Sequence, residues 1–126
     1  MATLAGPDAW HYVGTEGEPA FASGWENAGV MSPLAFRLDH IGGEVKLYGL
    51  VLDNGPADAT VCTLPAEYRP PTGRYGVVPV AVLDSMGAYR GGVAVVADDG
   101  TLSLPGTDTA DTAVVNGAYP LDPPEL

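Results

Sequence analysis

Positive charge is what this sequence has least of. Its 126 residues hold 16 Asp and Glu against five Lys and Arg, a formal net charge of −11 at pH 7. The five basic residues, Arg37, Lys46, Arg69, Arg74 and Arg90, are scattered along the chain. A surface of that sign repels phosphate backbones and anionic headgroups, so nucleic acid is excluded as a partner. No apolar run approaches the roughly 20 residues of a spanning helix, so membrane insertion is not expected. The start, "MATLAGPDAW", has neither the basic end nor the apolar stretch of a signal peptide. Cys62 is the sole cysteine, which rules out an internal disulfide. It lies in the apolar phrase "ATVCTL" and reads as a buried, inert thiol.

Catalytic signatures are missing too. The two histidines are His11 and His40, and Ser23, Ser32, Ser85 and Ser103 lie in no G-x-S-x-G frame. One Cys and no His-x-x-x-His spacing give zinc nothing to hold. Asp98-Asp99-Gly100 starts like a calcium loop, but the ligand series does not continue, and a hairpin turn is the plainer reading. No glycine-rich phosphate cradle occurs. With 16 acidic residues, some carboxylate pair falls near any required distance by chance, so such pairs carry no glycosidase signal. The expectation is no enzyme, no metal and no cofactor.

Helical periodicity is scarce as well, because 17 Gly and 12 Pro leave few windows where a helix can propagate. What recurs is short apolar runs bounded by turn residues, the pattern of an all-β sandwich or barrel. "LAFRLDH" (34–40) alternates, with Leu34, Phe36 and Leu38 on one face. "EVKLYGLVL" (44–52) follows a Gly-Gly turn and puts Val45, Leu47 and Val51 on a shared face, so the two form a hairpin. "ATVCTL" (59–64), "VVPVAVLD" (77–84), "GVAVVAD" (92–98), "TLSL" (101–104), "TAVVN" (112–116) and "AYPL" (118–121) continue the series. Strands near "WHYV" (10–13) and Trp25 complete about eight to ten. The β-branched runs at 77–84 and 92–98 suit strands covered on both faces or buried at an interface.

"LPAEYRPP" (64–71) could be a linker, a proline-rich docking peptide or a fixed corner. Strand signals continue on both sides of it, which argues against a linker. Prolines at 65, 70 and 71 are too irregular for an exposed polyproline helix. We read a rigid corner in which Leu64 ends a strand, Pro65 stops pairing, Tyr68 folds onto the core and Arg69 is held extended by the next proline. The aromatics are the best candidates for ligand contact. Trp10 is read as a cap on the end of the core. Trp25, Arg74, Tyr75, Asp84, Tyr89 and Arg90 are the candidate ligand-binding residues, since loop aromatics beside fork-shaped donors suit saccharides. "SMGAYRGG" is expected to be an exposed tip.

The order of phrases adds a resemblance. "GWEN", "PLAFRLD…GGEVKLYGLV", "TVCTLPAEYRPP", "VAVVADDGTLSL" and "VVNGAYPL" together resemble the receptor-binding-type C-terminal domain of bacteriophage tail fibres and minor tail proteins, over residues 10–121. Gly43, Val45, Leu47 and Gly49 match one phrase of that family. Leu64, Pro65, Tyr68, Arg69 and Pro70 match a corner, and Asp99, Gly100 and Leu102 match a hairpin that packs beneath it. Ala66-Glu67 departs from the family's glycine before the tyrosine, so an altered backbone angle or strain is expected at Glu67.

The resemblance implies a single β-sandwich, jelly-roll-like, assembled as a homotrimer and carried on the virion. Its partners would be other virion tail or capsid proteins and host-surface carbohydrate. Residues 1–9 would be a docking arm and 122–126 a C-terminal tail. A capsid decoration or head-fibre protein that touches no receptor is the alternative.

Overall fold

The computed structural model describes residues 9–28, 32–39, 43–55 and 59–121. Residues 1–8 of the arm, the tail 122–126 and His40 therefore lie outside the described residues. Among the described residues there are nine strands: β1 His11–Tyr12, β2 Trp25–Asn27, β3 Ala35–Asp39, β4 Glu44–Asp53, β5 Thr60–Thr63, β6 Gly76–Leu83, β7 Tyr89–Val96, β8 Thr101–Ser103 and β9 Thr112–Pro120. Every pairing is antiparallel. They join in one sheet, in the order β1-β3-β4-β9-β6-β7-β8-β5, with β2 paired to β4.

The architecture is all-β, a single antiparallel sheet curled into a half-barrel rather than two separately hydrogen-bonded layers. Its two ends are tied together. The Ala22 amide donates to the Val61 carbonyl (2.7 Å), and the Tyr68 ring stands edge-on to Phe36 of β3, 4.7 Å between centroids. The Tyr68 ring also meets His11 of β1 at 5.8 Å.

Period-2 patterning fixes which side faces in. On β4, Val45, Leu47, Gly49, Val51 and Asp53 are buried in alternation. On β9, Ala113, Val115 and Tyr119 do the same, paired with β4 over nine positions from Glu44↔Pro120 to Leu52↔Thr112. Sequence reading divides residues 112–121 into two strands, but the structure has one. Gly117 allows this: a Cβ there would meet Val78 Cγ1 at 2.5 Å, so only glycine lets β9 run unbroken beside β6. Gly76 plays the same part under Tyr119, where a Cβ would lie 2.5 Å from the ring's Cγ.

Of the two settings expected for the β-branched strands, cover on both faces is not met. Within this chain they are covered on one face only: Val78, Val80, Val82, Ala94 and Val96 are buried, whereas Val77 is 54% and Val93 39% exposed. The register sets Val77 opposite Val95 and Pro79 opposite Val93. An apolar outer strip results.

The corner is a 3₁₀ turn over Ala66–Tyr68, entered from extended Pro65 (φ −62°, ψ 163°) and left through extended Arg69 (φ −88°, ψ 140°). Tyr68 is 2% exposed, as expected of a side chain folded onto the core. The Tyr119 hydroxyl donates to its carbonyl at 2.5 Å. The β7–β8 hairpin packs beneath, where the Leu64 amide donates to the Gly100 carbonyl (2.8 Å); within the corner itself, Arg69 Nε donates to the Leu64 carbonyl (3.0 Å). The expected strain at Glu67 is not there, because the right-handed 3₁₀ turn replaces the glycine geometry. Among the described residues the one non-glycine with positive φ is Ala110, at 75°.

Candidate functional site

One end of the sheet gathers four of the six candidate residues. Across β2, β4, β9, β6 and β7 a row of register partners runs Glu26, Leu52, Thr112, Leu83, Tyr89. Trp25 and Asp53 pair beside that row, the β6–β7 turn with Asp84 extends beyond it, and Arg90 follows Tyr89. Arg74 and Tyr75 precede Gly76, which pairs with Val96 at the other end of β6. The eight residues of β6 hold these two groups roughly 26 Å apart at about 3.3 Å per residue. The six residues therefore do not form one site.

Arg90 is not an open fork. Its Nη2 donates to Asp111 Oδ2 (2.7 Å) and to the Gly106 carbonyl (2.8 Å). Asp111, 3% exposed, also accepts the Asp108 amide at 2.7 Å. The Asp108 amide first, and then the Arg90 guanidinium, hold the Asp111 carboxyl below its ordinary range. The hydrogen bond to Asp111 raises Arg90 in turn. Asp53, equally buried, accepts the Thr107 hydroxyl (2.7 Å) and the Gly55 amide (3.1 Å). Its backbone exchanges hydrogen bonds with the same loop through Asp111 (2.9 Å) and Ala110 (2.7 Å). Two buried carboxylates thus clamp the loop at 104–111 against the sheet, and the tight turn at Ala110 lies inside that clamp.

Between loop and sheet lies a polar cleft of about 310 Å³ lined by Trp25, Asp53, Gly55, Leu104, Thr107 and Asp108. Trp25 is only 5% exposed there, so it forms the floor of the cleft and offers little open ring. Asp84 acts on its own turn, with Oδ1 accepting the Met86 and Ala88 amides, both at 2.9 Å. Tyr89 and Tyr75, each 69% exposed, are the open aromatics of the set. They stand at opposite ends.

Trp10 departs from its expected place. It does not cap the core but is 40% exposed, its ring over the Arg37 guanidinium at 5.6 Å. Tyr12 and Tyr48, 43% and 46% exposed, stand beside it. Sequence reasoning placed none of the three in a site. Tyr48 was legible: it alternates with Leu47 on β4 and must point outward. Among the described residues, no group of three or more His, Cys, Asp or Glu is placed to hold a metal ion, and no helix is long and apolar enough to cross a membrane.

The class this geometry defines is an all-β, curled antiparallel sheet whose loops and outer face are the surfaces open to a partner. No protein-family model matches the chain, and no curated protein matches it in sequence. Among solved structures, the receptor binding protein (gp15) of Listeria phage PSA shares the fold, with a TM-score of 0.63 at 14% sequence identity. The alignment covers 90% of this chain and 66% of that one, so this chain spans just under two thirds of that protein's length.

Proposed function

We propose that the chain is a phage virion protein of the receptor-binding type, which adheres without covalent chemistry to saccharide on the host surface. The likeness in fold to a phage receptor binding protein carries this reading. The order of the corner and hairpin phrases supports it. The net charge of −11 fits a job away from nucleic acid. In the reading the sheet is the jelly-roll-like sandwich of a homotrimer. The strip of Val77, Pro79, Val93 and Val95 is apolar surface that a lone chain leaves open, and it suits contact with further copies. The N-terminal arm docks on tail or capsid proteins, and no substrate is turned over.

The test is retention on isolated cell walls of the bacterium on which the parent virion grows, with and without chemical removal of wall polysaccharide. Retention lost with the polysaccharide supports adhesion. A folded protein that ignores intact walls, while antibodies against it label the capsid, would establish the decoration reading instead.

A further inference from the structure

The geometry points to the outer-face groove formed by Trp10, Tyr12 and Tyr48 as the saccharide subsite, and to an acidic saccharide as its ligand. This inference rests on the adhesion reading and adds to it a location and a ligand class. Two adjoining hollows, of about 350 and 320 Å³, share Trp10 and Tyr48 as walls. Tyr12 and Pro33 close one side, and Lys46 and Asn116 line the other. Each hollow has the volume of a small-molecule pocket. The pattern of half-open aromatic faces beside an amide and an ammonium suits sugar rings: the apolar face of a ring lies on the aromatic, and its hydroxyls reach the polar side. The Arg37 guanidinium on Trp10 braces the indole.

Charge decides the class. The chain has five basic residues, yet Arg37 and Lys46 are direct cross-strand partners on β3 and β4. Like charges in that position weaken a sheet, and Lys46 has Asp39 as a partial offset, 3.7 Å away. Lys46, one of the few cations of an acidic protein, lines the groove walled by Trp10, Tyr12 and Tyr48 and complements an anion carried on a sugar. Uronate carboxylates and phosphodiester-linked wall polymers share that chemistry.

The experiment measures binding of the full-length protein to isolated host walls at low and high salt. Walls are used untreated, with uronic carboxyls reduced, or with phosphodiesters cleaved by hydrofluoric acid. Wild-type, W10A and K46Q proteins are compared, each checked for folding by circular dichroism and for mass by native mass spectrometry. We expect W10A to lose about tenfold or more in affinity. K46Q should lose about threefold and show a shallower salt dependence, as for an exposed ion pair. One of the two wall treatments should abolish wild-type binding and so identify the anion. Wild-type-like binding by both variants overturns the site, while adhesion itself stands. Binding that survives both treatments overturns the acidic ligand. A changed oligomeric mass in W10A would make the groove a contact between copies, which also overturns it. If wild-type protein binds no wall at all, the adhesion reading fails and takes this inference with it.

Discussion

Replacing Tyr119 by Phe isolates the bond that holds the corner. Tyr119 is 1% and Tyr68 2% exposed, and the hydroxyl of the first donates to the carbonyl of the second across a buried 2.5 Å contact. The substitution removes that donor and keeps the ring. Ring packing should therefore survive, since the ring lies against Gly76 with no room for a Cβ. The loss is then the cost of depriving a buried acceptor of its donor, about 1–3 kcal/mol. Truncating the ring would cost more, about 3–5 kcal/mol as for other buried aromatics. At roughly 4 °C per kcal/mol for a chain of this size, Y119F should melt about 4–12 °C lower.

Urea unfolding at fixed protein concentration measures it, because oligomerisation would make the midpoint concentration-dependent. The midpoint should fall at unchanged slope. A change below about 0.5 kcal/mol would refute the reasoning, and so would a Y119F loss equal to that of Y119A. The same burial raises the Tyr119 phenol above its ordinary range, so alkaline titration should leave Tyr119 unionised until the fold opens.

Other outcomes follow from the same structure. The depressed pKa of Asp111 stabilises the fold fully above the unfolded value of about 3.9. That contribution disappears as pH falls through the lower folded value, so the loop at 104–111 should gain amide exchange below about pH 4; D111N should remove that pH dependence. Burial pushes the Cys62 thiol up to about 12, so native protein should resist thiol reagents at pH 8 and react only once unfolded. G117A would drive a Cβ into Val78 and should destabilise by about 1–3 kcal/mol, as overpacked cores do. Placing charge on the apolar strip, as V77D with V93D, should yield a folded chain of monomeric mass in native mass spectrometry. An unchanged trimer would show that the strip is not the interface.

Where a strand buries one face, its alternation is legible in the sequence. β3 and β4 appear within a residue or two of the expected bounds, and so does the corner, because proline and a buried Tyr68 leave it few alternatives. What was not visible depends on partners distant in sequence. Nothing local says that Gly117 keeps β9 continuous, since its reason is Val78 on a neighbouring strand. Arg90 resembled a free ligand donor because its acceptors, Gly106 and Asp111, come from a loop that folds back to meet it. Trp10 resembled a core cap for a similar reason: Arg37 holds it on the outer face. Burial of aromatics near chain ends is a tertiary outcome, and flanking residues encode it poorly.

Competition for adsorption tests the central claim most directly. Host cells would be saturated with the purified protein and then challenged with the parent virion, and the rate of virion attachment measured. Adhesion through this fold predicts a dose-dependent fall in attachment, with no effect from heat-unfolded protein. Attachment at an unchanged rate on cells exposed to saturating folded protein would contradict it.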